Sequence, residues 1–166
     1  MSPRPTGRLV PTASGTDLVL ERSFRAPIAD VWQSVTDPDS LSRWFGTWSG
    51  EAGPGKYVTL QMGFEKDAPP TRVLIEQCDA PRHLAVAMKD AHGDWKLSIS
   101  LSEEGDTTHL RFVQHLLDTK QVGDVGPGWE YYLDMLVAAR AQQPLPDFND
   151  YYPAQKQYFL EQLKGG

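Results

Sequence analysis

The sequence has little of several things that define whole classes of protein. It holds one cysteine, Cys78, in 166 residues, which excludes a framework of internal disulfides and a zinc site built from several cysteines. No apolar run approaches the ~20 residues of a membrane-spanning helix, and residues 1–9 lack the apolar stretch of a signal peptide. We therefore expect a soluble, cytoplasmic protein with no membrane insertion.

Positive charge is also in short supply. Lys and Arg total 16 against 22 Asp and Glu, for a net charge of -6. Binding to phosphate backbones draws its affinity from clustered cations. The balance of charge therefore predicts no nucleic-acid partner.

Motifs for catalysis and cofactor binding are scarce. Gly50, Gly55 and Lys56 have the spacing of a phosphate-binding loop. However, Tyr57 takes the place of the hydroxyl residue that holds magnesium, and a strand pattern follows where a helix is needed. The four histidines form no i, i+4 pair, and no G-x-S-x-G motif is present. We expect no cofactor, no metal and no catalytic residue.

Periodicity divides the chain into three segments: a flexible leader at 1–16, one domain at 17–142 and a C-terminal extension at 143–166. The extension carries several aromatic residues, among them Phe148 and Tyr152. Because solvated linkers seldom contain so many, we expect it to pack on the domain or on a partner subunit. A homodimer is one way to cover these side chains.

Inside the domain the sequence predicts a strand from Asp17 and then two short helices, the first opened by Pro27 and the second capped by Asp37. Alternating apolar residues follow, with turns that include 66–70 and 92–94. They predict about six strands, and such short connections make them antiparallel neighbours. A long helix is expected after Gly126-Pro127-Gly128.

The fold class follows from this order of elements. An antiparallel sheet with one apolar face must be covered, and the last helix is long enough to cover it. The space between them is either filled by bulky side chains, which periodicity alone favours, or open as a ligand cavity. The residues expected to line such a cavity are Trp44, Trp48, Tyr57, Met62, Trp95, Phe112, Gln114, Trp129 and Leu133.

Short motifs along most of the chain carry a family resemblance. They are Arg25-Ala26-Pro27, Val31-Trp32, Thr36-Asp37-Pro38, Leu41 with Trp44-Phe45, the turn 78–84 and Gly128-Trp129. Together they resemble the SRPBCC (START-like) superfamily, and within it most closely the bacterial branch of activator of Hsp90 ATPase homologue 1-like proteins.

This resemblance implies an α+β helix-grip fold, in which a curved antiparallel sheet wraps around a long C-terminal helix and encloses a hydrophobic tunnel. Two short helices follow the first strand, and Trp44 would stand at one mouth of the tunnel. Members of the superfamily carry lipids and hormones, cyclise polyketides or bind Hsp90. The leading expectation is a carrier or sensor of a small hydrophobic or amphipathic molecule. The alternatives are a cyclase or aromatase and an Hsp90-binding module.

One position departs from the family pattern. Gln114 stands on the last strand where members often have a histidine. An amide orients a polar ligand group but does not act as a general base. The substitution therefore lowers the expectation of acid–base chemistry.

Overall fold

The computed structural model describes residues 3–65, 67–90 and 93–164. These residues form an eight-stranded antiparallel sheet in the order β1-β2-β8-β7-β6-β5-β4-β3. The strands are β1 (Arg8–Thr12), β2 (Gly15–Phe24), β3 (Gly46–Ser49), β4 (Tyr57–Met62), β5 (Thr71–Asp79), β6 (His83–Asp90), β7 (Gly93–Glu104) and β8 (Thr107–Leu116). The helices are α1 (Ile28–Thr36), α2 (Pro38–Leu41), α3 (Val122–Arg140) and α4 (Lys156–Lys164), with a 3-10 helix at Phe148–Asp150.

This arrangement confirms the predicted helix-grip fold. The sheet is curved, and α3 lies on its concave face. Two short helices join β2 to β3, as the sequence predicted. Of the residues expected in turns, Lys66 and His92 lie outside the described part of the chain. No helix within the described ranges is long and apolar enough to cross a membrane.

Local sequence explains the helix pair between β2 and β3. Ile28, Val31 and Val35 recur on one face of α1 and are buried, which is the stripe expected of an amphipathic helix. Asp37 ends α1 and caps α2, where its side chain accepts a hydrogen bond from the backbone N–H of Ser40 at 3.0 Å. This cap satisfies a donor that the helix itself leaves free.

The leader expected at 1–16 is not loose throughout, because residues 8–12 form β1 and pair with β2. The backbone N–H groups of Thr6 and Gly7 both donate to the Glu130 carboxylate on α3. The contacts with Glu130 join residues more than 120 positions apart, so a local sequence pattern does not report them.

The long helix begins earlier than predicted, at Val122, and runs through Pro127. Two of its glycines are contact points with α4. A Cβ atom at Gly126 would lie 2.6 Å from the Phe159 ring, and one at Gly123 would lie 3.1 Å from Lys156. Gly126 and Gly128, which were expected to precede the helix, therefore lie inside it, and Gly126 lets α4 approach closely.

The C-terminal extension packs against the domain. Phe159 of α4 is fully buried and Tyr151 is nearly so. The Tyr151 hydroxyl donates to the Asp134 carboxylate at 2.7 Å, and Gln162 exchanges hydrogen bonds with the backbone of Gly7 and Leu9. Helix α4 is thereby joined to both α3 and the N-terminal segment.

Candidate ligand-binding cavity

A cavity of about 190 Å³ lies between the concave face of the sheet and α3. Its floor consists of inward side chains of β4 to β7, such as Leu60, Ile75, Val86 and Leu97. Side chains alternate between the two faces of a strand, so each strand contributes every second residue. The wall is almost entirely hydrocarbon. We call this space the apolar cavity.

Two tryptophans form the wall beside α1. Trp44 follows α2, and its indole N–H donates to the carbonyl of Ser34 at 2.8 Å. Trp48 on β3 donates to the carbonyl of Thr36 at 2.7 Å. Both donors are satisfied by the exposed carbonyls at the end of α1, which a helix leaves unpaired. The cavity therefore meets the apolar faces of these rings.

Three aromatic rings border one end of the cavity. Phe112 of β8 lies with its ring centroid 4.4 Å from that of Trp129 on α3. Phe45, which lies between α2 and β3, stacks with Trp129 at a centroid distance of 5.9 Å. Leu133 follows one turn further along α3 and is buried. Such ring arrangements are attractive beyond the area they bury and give this end a defined shape.

The rim of the apolar cavity is exposed. Ala52, in the connection from β3 to β4, and Cys78, near the end of β5, border it and are accessible to solvent. Within the described ranges, the polar side chains of the lining are Thr36, Cys78 and Ser98. The Thr36 hydroxyl is engaged with the carbonyl of Trp32, and the described lining contains no carboxylate, imidazole or amine.

The structure brings together part of the predicted set of lining residues. Trp44, Trp48, Phe112, Trp129 and Leu133 all border the apolar cavity. The remaining predicted residues lie elsewhere.

Tyr57 was placed on the wrong face of its strand. It is 51% exposed and stacks under the guanidinium of Arg72 at 4.2 Å on the outer side of the sheet. Its neighbour Val58 is the residue that lines the cavity. Met62 does face inward, but it packs between core side chains and does not border the open space.

Trp95 and Gln114 line a second space of about 200 Å³, beside the N-terminal end of α3. We call it the polar chamber. Gln114 is 3% exposed, in keeping with its predicted place on the inward face, and its hydrogen-bond partner is a side chain of the protein. Its Oε1 accepts from the Trp129 indole N–H at 2.8 Å.

The aliphatic floor of the cavity is absent from the set of lining residues predicted from the sequence. Its members include Val73, Ile75, Leu84, Val86 and Ile99. Alternation along β5, β6 and β7 indicates which side chains face inward, but it does not report whether the space above them is open.

A buried tyrosine stands behind the aromatic end of the cavity. The Tyr132 hydroxyl donates to the Glu65 carboxylate at 2.6 Å, and its ring meets Phe45 edge-on at 4.9 Å. Burial, together with this bond to Glu65, raises the pKa of Tyr132 well above its ordinary value of 10.0. The hydroxyl is therefore neutral at physiological pH. Within the described ranges, no group of three or more His, Cys, Asp and Glu residues is placed to hold a metal ion.

A curved sheet gripping a long helix over an apolar cavity defines the helix-grip class of proteins. The family of Activator of Hsp90 ATPase homolog 1-like proteins matches residues 25–140, and the chain belongs to that family. No curated protein sequence matches the chain at a significant level.

Solved structures share the fold over nearly the whole chain. The crystal structure of CalU16 from Micromonospora echinospora has a TM-score of 0.77 at 23% identity, covering 96% of this chain and 97% of its own. The protein encoded by gene BPP1335 of Bordetella parapertussis has a TM-score of 0.74 at 24% identity, covering 97% and 94%. DynU16, a protein in the dynemicin biosynthetic locus, has a TM-score of 0.68 at 18% identity, covering 82% of this chain and 50% of its own.

Proposed function

We propose that this protein binds a small, predominantly apolar molecule in the apolar cavity and performs no covalent chemistry on it. The observation that carries the proposal is the lining itself. An interior space of about 190 Å³ bounded by hydrocarbon and aromatic faces attracts apolar solutes, because their transfer from water is favourable.

The state of the tryptophans supports binding over simple core packing. The indole N–H groups of Trp44, Trp48 and Trp129 are all occupied by protein acceptors. A ligand in the cavity therefore costs no hydrogen bond of the wall when it enters. Rigid rings held by their donors also keep the cavity open, since a ring that cannot turn cannot collapse into the space.

A cyclase of the polyketide type is the second candidate. An aromatic-walled cavity can hold a flexible chain in one folded conformation, which accelerates ring closure without an acid–base pair. The neighbour DynU16 belongs to the dynemicin biosynthetic locus. Against this candidate, the described lining has Cys78 as its one ionisable side chain.

Native mass spectrometry of freshly purified protein, followed by tryptophan fluorescence titration, tests the proposal. The titrants are fatty acids, flavonoids and polyketide-like aromatics. We expect saturable quenching by at least one class, since Trp44, Trp48 and Trp129 border the cavity. Release of an unchanged ligand supports binding, and release of a cyclised product supports the cyclase.

A matched pair of variants locates the binding. Leu84→Trp places a large ring inside the cavity, beside Cys78 with which Leu84 pairs across the sheet, and should abolish saturable binding. Leu145→Trp makes the same change at an exposed position of the C-terminal extension and should leave binding intact. The thiol of Cys78, the only cysteine in the chain, gives a second readout, because a ligand at the rim should slow its alkylation. Undiminished binding to folded Leu84→Trp would contradict the proposal.

A further inference from the structure

The polar chamber lies next to the apolar cavity on the same strands and the same helix, although the two spaces have no lining residue in common. Leu97 and Phe112 border the apolar cavity, and two residues further along their strands Trp95 and Gln114 border the polar chamber. Two residues of a strand span ~7 Å. On α3, Trp129 borders the apolar cavity and Val125, one helical turn earlier, borders the polar chamber. The two spaces are therefore about 6–7 Å apart along each element, and an elongated ligand can contact both.

The hydrogen bond from Trp129 fixes which end of the Gln114 amide faces the polar chamber. An indole nitrogen only donates, so Gln114 must present Oε1 to it. The amide NH2 group then points away from Trp129. It donates to no acceptor in the described part of the chain, and the Gln114 side chain borders the polar chamber. A donor that has no protein acceptor there is available to a ligand group that accepts a hydrogen bond.

A second donor nearby also has no acceptor. The indole N–H of Trp95, a residue that also lines the polar chamber, is buried and has no acceptor among the described residues. These two donors, the Trp95 indole N–H and the Gln114 NH2, favour a ligand group that accepts hydrogen bonds.

The charges around the polar chamber decide between a neutral and an anionic acceptor. Asp94 and Asp118 both border it, and Lys120 is the one cation of the described lining; the exposed ammonium of Lys89 lies 3.8 Å from Asp94. The whole chain carries a net charge of -6. A carboxylate on the ligand would meet this field unfavourably. A ketone, ester or amide carbonyl accepts the same hydrogen bonds without that repulsion.

We propose that Gln114 is a specificity-determining residue whose Nε2 donates to a neutral carbonyl oxygen at the polar end of an amphipathic ligand, while the ligand's apolar body occupies the apolar cavity. This rests on the proposed function, because the apolar cavity must bind the body. Trp129 acts as a positioning residue: one face lines the apolar cavity and its N–H orients the amide.

The test compares three probes of similar size: 2-butanoylnaphthalene, which has a carbonyl, 2-butylnaphthalene, which has none, and 2-naphthalenebutanoic acid, which is anionic. Their dissociation constants are measured by calorimetry at pH 7.5 for the native protein and for Gln114→Glu. This variant keeps an oxygen for Trp129 but removes the NH2 donor. Gln114→Met has no hydrogen-bond donor in its side chain. It replaces Gln114→Glu if that variant does not fold or if its new carboxyl group is protonated and can donate. Gln77→Glu, on the exposed part of β5, is the matched control.

We expect the native protein to bind the ketone about tenfold more tightly than the hydrocarbon, the effect of one hydrogen bond to a buried donor. Either Gln114 variant should remove this preference and leave the hydrocarbon's affinity within about twofold, while Gln77→Glu changes neither. Three results would overturn the inference and leave the proposed function standing. They are equal affinity of the native protein for the ketone and the hydrocarbon, a preference for the ketone that persists in both Gln114 variants, and tightest binding of the acid. Failure of all three probes and of the wider titration panel would overturn both.

Discussion

Trp48 donates its indole N–H to the carbonyl oxygen of Thr36 at 2.7 Å, and the two residues border the apolar cavity together. This bond ties β3 to the C-terminal end of α1. The wall of the cavity beside α1 is therefore held by a hydrogen bond between elements as well as by packing.

Trp48→Phe should lower the free energy of unfolding by about 1–2 kcal/mol, because it leaves the Thr36 carbonyl without this donor. Chemical denaturation measures the loss. Trp32→Phe is the matched control: Trp32 lies on α1, is partly buried and makes no side-chain hydrogen bond within the described part of the chain. Equal losses in the two variants would show that the bond contributes nothing beyond ring size.

Phe112→Ala should cost about 3 kcal/mol, at the low end of the range for removing a buried phenylalanine. Phe112 is 3% exposed, but one side of its ring borders open space, so fewer contacts are lost. Urea denaturation gives the value. Leu110→Ala, at a fully buried position on the same face of β8, provides the comparison for a tightly packed site. A loss near 5 kcal/mol for Phe112→Ala would mean that the cavity is effectively filled.

The sequence predicted best those features that depend on neighbours in the chain. The cap at Asp37 is an example, since it needs only the residue three positions later. The cavity lining was predicted less well. Tyr57 and Met62 were assigned to one wall, yet they are five residues apart on β4, and a period of two puts them on opposite faces. Observing that alternation strictly would have selected Val58.

Other features depend on tertiary placement and leave no local trace. Trp95 and Gln114 face inward as their strands predict, but the position of Trp129 decides that they border the polar chamber. The contact between Glu130 and the backbone of Thr6 joins residues 124 positions apart. A loose leader was expected for that reason.

Glu130→Gln should lower the free energy of unfolding by about 3 kcal/mol. The Glu130 carboxylate is 1% exposed and accepts from the backbone N–H groups of Thr6 and Gly7 and from the Arg22 guanidinium at 3.0 Å. The amide of glutamine has one oxygen that can accept from these donors. Its NH2 group takes the place of the second oxygen and faces donors with which it cannot form a hydrogen bond. Amide exchange at Gly7 should also become faster, because its acceptor is weakened.

The matched control is Glu161→Gln on the exposed side of α4, which should change stability by less than about 0.5 kcal/mol. A loss of that small size for Glu130→Gln itself, with exchange at Gly7 unchanged, would show that the N-terminal segment is held by strand pairing alone.

The stability of the protein should fall as the pH rises above 10. Burial, with a hydrogen bond to a carboxylate, raises the pKa of both Tyr132 and Tyr151 above the ordinary value of 10.0. The unfolded chain therefore loses these protons first. The stabilisation is fully present below pH 10 and is lost at higher pH, by about 1.4 kcal/mol per pH unit for each tyrosine.

Unfolding free energies measured by urea denaturation from pH 8 to pH 11.5 should show this decline. Tyr132→Phe and Tyr151→Phe should each make it shallower, and the double variant should make it shallower still. Curves for the variants that run parallel to that of the native protein above pH 10 would assign the decline to other groups.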